Sequence, residues 1–215
     1  MTPDKPKILL GEFNHKKKQD FIQGHRWGRM FVYLPPKPYP GEPWAFDNGA
    51  YLHWRKGEQF NEDAYSRRLE RATHAFPHPI FYVVPDIVAG GTQSLNFSEK
   101  WVTLMPRPRY LAIQDGMMYQ DVLSVIGNYD GLFLGGTDAF KLTARDWCGL
   151  AHRNNKKFHY ARAGTINKLQ HAIRIGADSL DSSFPLWTKV RLLLFYDIWK
   201  NGHPNKAFEF MEAQK

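Results

Sequence analysis

The chain has 215 residues and a mass of 25.0 kDa, and its 29 Lys and Arg against 21 Asp and Glu give a formal charge of +8. A content of 43% hydrophobic and 15% aromatic residues suffices for a buried core, which excludes a disordered chain, and one domain over residues 1–215 is expected. The lone Cys148 excludes an internal disulfide framework and any multi-cysteine zinc site, and no apolar run approaches the ~20 residues of a membrane span. Met1-Thr2-Pro3-Asp4-Lys5 leads into no secretory core, so a cytoplasmic protein is expected. A pI near 9.5 favours a polyanionic partner, because Lys and Arg release condensed counterions when they meet phosphates.

Short apolar runs alternate along the chain with longer amphipathic ones. The runs at 8–10, 30–34, 44–46, 80–85, 110–113, 131–134, 158–161 and 179–180 read as eight strands. After the second, Pro35-Pro36-Lys37-Pro38-Tyr39-Pro40 reads as a loop with no room for a helix. Helices are expected to start near Asn61, Gly91, Tyr119, Ala139, Thr165 and Pro185. Asn61 can cap its helix, with Glu62 and Asp63 complementing the positive end of the helix dipole. Thr165 can cap the next-to-last, Ile166, Leu169 and Ile173 then share one face, and Gly176 stands where a left-handed residue ends a helix. The last helix opens with Pro185 in its first turn and should carry Val190, Leu193 and Leu194 inward. Alternating strands and helices imply parallel strands joined by right-handed crossovers. Eight strands favour a compact α/β (β/α)8 TIM-like barrel over an open doubly wound sheet.

In such a barrel the active site is built where the strands end. Those ends read Phe46-Asp47-Asn48-Gly49-Ala50-Tyr51, Val84-Pro85-Asp86, Ile113-Gln114-Asp115-Gly116, Leu134-Gly135-Gly136, Ala161-Arg162-Ala163-Gly164 and Leu180-Asp181-Ser182-Ser183. Each has a plain reading as loop chemistry: Asp47-Asn48-Gly49 as a turn, Asp86 and Asp181 as helix caps, Gly135-Gly136 as a tight loop. Successive ends carrying Asp, Asp, Gln, Gly-Gly, Arg and Asp are harder to obtain from loop chemistry alone.

In order and strand by strand, over about residues 44–187, this series resembles the base-exchange domain of the tRNA-guanine transglycosylases. It is most similar to the small bacteriophage members that place 7-deazaguanines in DNA. Asp47-Asn48-Gly49-Ala50-Tyr51 looks like the family's Asp-Ser-Gly-Gly-aromatic motif, and Phe133-Leu134-Gly135-Gly136 like its Gly-Gly base-binding loop. Gly164-Thr165, a helix and then Asp178-Ser179-Leu180-Asp181 resemble its Gly-Thr…Asp-x-Phe-Asp segment.

The resemblance implies a glycosyltransferase of the pentosyltransferase type that exchanges guanine in DNA for a 7-deazaguanine, without a cofactor. Asp181 would attack C1′ and hold the nucleoside covalently, the logic of a retaining glycosidase. Asp47 would move the proton to departing guanine and from the incoming base. Asp86 would accept from the N1–H and exocyclic amine of the guanine edge, Gln114 and the backbone of Gly135 and Gly136 would read O6, and Tyr51 would stack on the base. Without cysteines for the family's zinc subdomain, the chain favours DNA over tRNA as partner. Lys141 stands where the family keeps an acidic residue for an aminomethyl-bearing base, which suits a nitrile such as that of preQ0. Arg162 stands where the tRNA enzymes keep a glycine, so it would contact a phosphate or pair with a site carboxylate.

Phosphate contacts are expected from Lys16, Lys17 and Lys18, from Arg26 and Arg29 around Trp27, and from Lys156-Lys157. Arg107 and Arg109 precede a strand and belong to the opposite end of the barrel, and Arg67, Arg68 and Arg71 read as a solvated face. None of the nine His residues forms a His-x-His pair or a His-Glu-x-x-His helix, so no catalytic metal is expected. Cys148 beside Trp147 reads as core. A barrel without an appended nucleic-acid module leaves room for a homodimer partner, or another protein, to present the DNA. The competing readings are the same exchange on tRNA, a basic barrel that binds nucleic acid without chemistry, and a barrel acting on a small phosphorylated metabolite. A phage origin, and with it a host's cytoplasm, rests on the resemblance alone.

Overall fold

The computed structural model describes residues 5–11, 16–33 and 41–203, with the backbone alone at 16–19. Eight parallel strands close on themselves in sequence order: β1 (Lys7–Leu10), β2 (Gly28–Phe31), β3 (Trp44–Phe46), β4 (Tyr82–Val83), β5 (Arg109–Ile113), β6 (Gly131–Leu134), β7 (Lys157–Tyr160) and β8 (Ser179–Ser182). Closure comes from β8 on β1, where Leu9 pairs with Asp181 and Leu10 with Ser182. The fold is therefore the expected (β/α)8 barrel. All eight expected strands are present, although β4 keeps only the centre of its run and β2 begins two residues before its run and shares only Met30 and Phe31 with it. Leu34 and the proline-rich loop at 35–40 lie outside the described residues.

Two side-chain layers follow from strand alternation. Leu9, Met30, Ala45, Phe81, Val83, Tyr110 and Ala112 fill the barrel interior with Phe133 against them. Rings dominate there: Phe81 stacks on Tyr110 at 4.2 Å and Phe133 on His159 at 4.8 Å. The residues between, such as Leu10, Phe31, Phe46, Leu111, Leu132 and Phe158, face the surrounding helices.

The helices are α1 (Lys16–Gly24), α2 (Ala50–Arg55), α3 (Glu62–His74), α4 (Gly91–Trp101), α5 (Tyr119–Val125), α6 (Ala144–Arg153), α7 (Ile166–Ile175), α8 (Phe184–Trp187) and α9 (Lys189–Asn201). Asn61 caps α3 by accepting from Ala64 N–H at 2.8 Å, and Thr165 caps α7 by accepting from Lys168 N–H at 3.3 Å. Gly176 ends α7 at φ 78°. Neither α1 nor α2 is foreseen from periodicity, since both are short. The expected single last helix is broken at Thr188, which caps α9 through Arg191 N–H. The restart rotates the buried face onto Leu192, Phe195 and Ile198, so Val190 and Leu193 are exposed and Leu194 is only half-buried, contrary to expectation.

Candidate active site

The alternation that fills the barrel also decides which strand-end side chains meet. Ala45 on β3 points inward, so Asp47 does too; Ala112 carries Gln114 with it on β5, and Ser179 carries Asp181 on β8. They surround a cavity of about 360 Å³ at the C-terminal end of the barrel, within the ~300–1,000 Å³ usual for small-molecule sites. Asp47, Asp86, Gln114, Gly135, Gly136, Tyr51, Arg162 and Asp181 all line it.

Asp47 sits in a turn held by its neighbours. Gly49 N–H donates to its Oδ1 at 3.2 Å, and the Asn48 side chain accepts from Ala50 N–H at 2.7 Å. Gly49 adopts φ 80°, and a Cβ there would meet Val32 at 2.7 Å, so both conformation and space call for glycine. Arg68 ties this turn to β2 by donating to Val32 O at 3.0 Å and Asn48 O at 3.1 Å. It is half-buried and structural rather than part of a solvated face. Burial pushes the Asp47 carboxyl up to about 7, the Gly49 N–H opposes this, and the nearby Asp181 and Asp86 raise it further.

Asp86 is 9% exposed and held from two sides. Asn48 Nδ2 donates to Oδ1 at 2.7 Å and Gln114 Nε2 to Oδ2 at 2.9 Å. Gln114 is fixed in turn, accepting from Ala89 N–H at 2.5 Å and donating to Ser94 Oγ at 2.8 Å. Both ends of its amide are engaged, so Gln114 positions Asp86 instead of reading a base. Burial raises the Asp86 carboxyl to about 6 against the lowering effect of these two donors. An ionised carboxylate offers about four acceptor directions, which leaves one on each oxygen for a ligand.

Asp181 behaves oppositely. Among the described residues two groups donate to it, both on Oδ1: His159 Nε2 at 3.1 Å and Arg162 N–H at 2.9 Å. Burial pushes the carboxyl up, but His159, the Arg162 N–H and the Lys141 charge outweigh it and hold it below the ordinary value. Arg162 has φ 54°, a left-handed conformation glycine adopts most easily, and this turns its N–H onto Asp181. Its guanidinium donates to Gly136 O and lies 4.0 Å from the Tyr51 ring centre. Tyr51 also stacks on Trp54 at 5.8 Å, so a ligand meets a Tyr51–Arg162 pair rather than a bare ring. Gly135 N–H donates to Ile113 O at 2.9 Å and is unavailable as a base donor. Gly136, at φ 69°, has no room for a Cβ, which would meet Asp115 Oδ2 at 2.7 Å.

No family model matches this chain, and no curated protein does either.

Several expected contacts lie elsewhere. Lys141 is 3% exposed, sits in the 3-10 turn at Phe140–Thr143 and does not itself line the cavity, although its Nζ donates to the carbonyl of Ala161, which does. Burial and the Arg162 charge lower its amine to about 7. Its amine is engaged behind the lining and not presented to the cavity, so the expected preference for a nitrile loses its residue. Arg29 is buried in a bidentate pair with Glu42, at 2.5 and 2.6 Å, and cannot hold a phosphate. Arg26 is exposed but lies in the α1–β2 connection, at the barrel end opposite the cavity, and its neighbour Trp27 is buried at 1%. Lys156 and Lys157 open β7 at that same far end, with Lys157 paired to Asp178 at 2.8 Å. Lys16, Lys17 and Lys18 begin α1 on the cavity side, and their side chains lie outside the described residues. Arg107 pairs with Asp130 at the far end, as its place before β5 requires, and Cys148 is buried with its thiol pushed up to about 12 by burial.

Sequence reasoning misses Asn48 as a holder of Asp86, Ser94 as the anchor of Gln114, and His159 as the partner of Asp181. Among the described residues no group of three or more His, Cys, Asp or Glu could hold a metal ion, and no helix is long and apolar enough to cross a membrane.

Proposed function

We propose that this chain exchanges guanine in DNA for a 7-deazaguanine through a covalent intermediate on Asp181. The observation that carries the reading is a pair of carboxylates in one cavity whose protonation is driven apart: Asp47 raised to about 7 by burial, Asp181 held low by its donors. Environments that split two carboxylates in this way assign an acid and a nucleophile. A lone pair of Asp181 forms the bond to C1′ as the C1′–N9 bond breaks, and the departing base takes its electron pair and a proton from Asp47. The incoming base returns its proton to Asp47 and displaces the Asp181 ester, so atoms and charge balance over the cycle.

The acceptor edge of Asp86, steadied by Asn48 and Gln114, suits the paired donors of a guanine or 7-deazaguanine edge. The Tyr51–Arg162 pair at the rim suits a base with an attached phosphate. The ordered resemblance of the strand-end motifs supports the same assignment. Reaching a base in duplex DNA adds an unstacking cost of roughly a few kcal/mol, which the net charge of +8 helps offset through phosphate contacts.

The test is nucleoside mass spectrometry after incubating the protein with guanine-containing DNA, or tRNA, and a 7-deazaguanine bearing either a nitrile or an aminomethyl group. A modified deoxynucleoside is expected with the native protein, and a fall of about 10⁴-fold with Asp181→Asn. A modified ribonucleoside from tRNA alone would keep the mechanism and overturn the substrate. No product from either polymer, with folded protein, would overturn the reading.

A further inference from the structure

We infer that His159 is a positioning residue for Asp181: held by Ser179, it works with the Arg162 N–H to fix Oδ1, leaving Oδ2 as the attacking atom. This rests on the base-exchange reading for its consequence, but the geometry stands without it. Ser179 Oγ lies 2.8 Å from His159 Nδ1, and His159 Nε2 lies 3.1 Å from Asp181 Oδ1. Strand pairing sets the first contact, since His159 and Ser179 are register partners, and Asp181 is the next inward residue on β8. An ionised carboxylate only accepts, so Nε2 carries the hydrogen and Nδ1 accepts from the Ser179 hydroxyl. The chain of bonds thus selects one tautomer.

The surroundings keep that ring in place and neutral. His159 is 0% exposed, stacked on Phe133 at an interplanar angle of 4° and 5.1 Å from Phe81. Burial lowers its basicity, the Asp181 charge raises it, and the Lys141 charge lowers it again, leaving it below the ordinary histidine value. Among the described residues, the groups facing Asp181 are His159 from β7, Arg162 (through its N–H) from the loop after it, Lys141 from the 3-10 turn and Asp47 from the turn after β3. A neutral donor steadies the carboxylate without cancelling its charge, which a full ion pair would do. Among the described residues nothing donates to Oδ2. After attack, Oδ1 becomes the ester carbonyl and still accepts from both donors; when the ester is displaced, the returning carboxylate regains the stronger, charge-assisted bonds.

Two measurements decide it, one without turnover. In the intact protein, ¹⁵N NMR of His159 is expected to show the neutral Nε2–H tautomer at pH 7, and the Asp181 carboxyl ¹³C shift to titrate at higher pH in His159→Phe than in the native protein. His159→Gln keeps a donor at nearly the same place and should return the titration toward native. In turnover, His159→Phe should lower kcat by about 100-fold with little change in KM for the incoming base, and move the acid limb of the pH profile upward. His159→Gln should restore the limb. An Nδ1–H tautomer, or an Asp181 titration unmoved in both variants, would overturn the inference even if exchange is confirmed. Absence of exchange with the titration behaving as expected would overturn the proposed reaction and leave the positioning role standing.

Discussion

The barrel has a cavity at each end, and the two treat charge in opposite ways. At the N-terminal end a cavity of about 610 Å³ is bordered by Lys7, Tyr110, Asp130, Lys157 and Asp178. There Lys157 and His152 meet Asp178 at 2.8 and 2.9 Å, and Arg107 meets Asp130. Burial raises the Asp178 carboxyl, but these partners outweigh it and keep it ionised. At the C-terminal end the smaller cavity gathers Asp47, Asp86 and Asp181, with two of the three pushed up toward neutrality. Size therefore says little about which end is the candidate site. What marks the upper end is that its carboxylates crowd together, held mostly by amide and imidazole donors, and so differ in protonation at one pH.

The largest effect should come from a fully buried ion pair of the lower half. Arg29 and Glu42 join β2 to the segment before β3 through two guanidinium–carboxylate bonds buried inside the protein. Glu42→Gln leaves a buried guanidinium facing a neutral amide and should cost about 3–5 kcal/mol, read from the urea midpoint. Replacing both residues by apolar ones of similar volume should recover most of that loss. A small effect of Glu42→Gln alone would show that charge at the lower end is as loosely held as at the upper.

Asp47 gives the converse. Its folded value of about 7 lies above its ordinary 3.8, so the folded chain keeps a proton between roughly pH 4 and 7 that the unfolded chain releases. Its contribution is fully present below pH 4 and is lost as the pH rises through 7. Asp47→Asn should therefore raise stability by about 1–3 kcal/mol at pH 8, with the change vanishing at pH 4, while the proposed base exchange collapses. Asp86, also raised, keeps part of the slope in that variant. Urea midpoints at the two pH values read the difference directly. A variant less stable at pH 8 would mean that Asp47 is held by favourable contacts, and would remove the basis for calling it the acid.

The strand ends were legible because chemistry and periodicity coincide there: a polar residue two positions past an inward-facing one must point into the mouth, as Asp47, Gln114 and Asp181 do. His159 was hidden by its setting between Phe158 and Tyr160, where a histidine reads as core. The usable signal was that it lies two residues before Ala161 and so shares the face of Asp181. Arg29 was misread because a charge run does not reveal Glu42, 13 residues further on. Lys141 was misread because the helix expected from Ala139 begins as a 3-10 turn, which aims it inward at Ala161 O. Gln114 was placed correctly, yet its role depends on Ser94 and Ala89, contacts that only the folded chain brings together.

The smallest effect should come from Lys157. Its side chain is 67% exposed, and its ion pair with Asp178 is screened by water. Without it Asp178 keeps the His152 Nε2 contact at 2.9 Å and the Phe158 N–H at 2.8 Å, so Lys157→Ala should change stability by less than about 0.5 kcal/mol. The lower cavity is not wholly separate from the site, because Ser179 lines it and leads through His159 to Asp181. That path runs through neutral groups, which carry orientation but little charge. Removing a screened lysine at the far end should leave the Asp181 titration, and the rate of the proposed exchange, unchanged within error. If Lys157→Ala moved the Asp181 carboxyl, the field of the lower ion pairs would reach Asp181, and the two ends would have to be treated as one electrostatic unit.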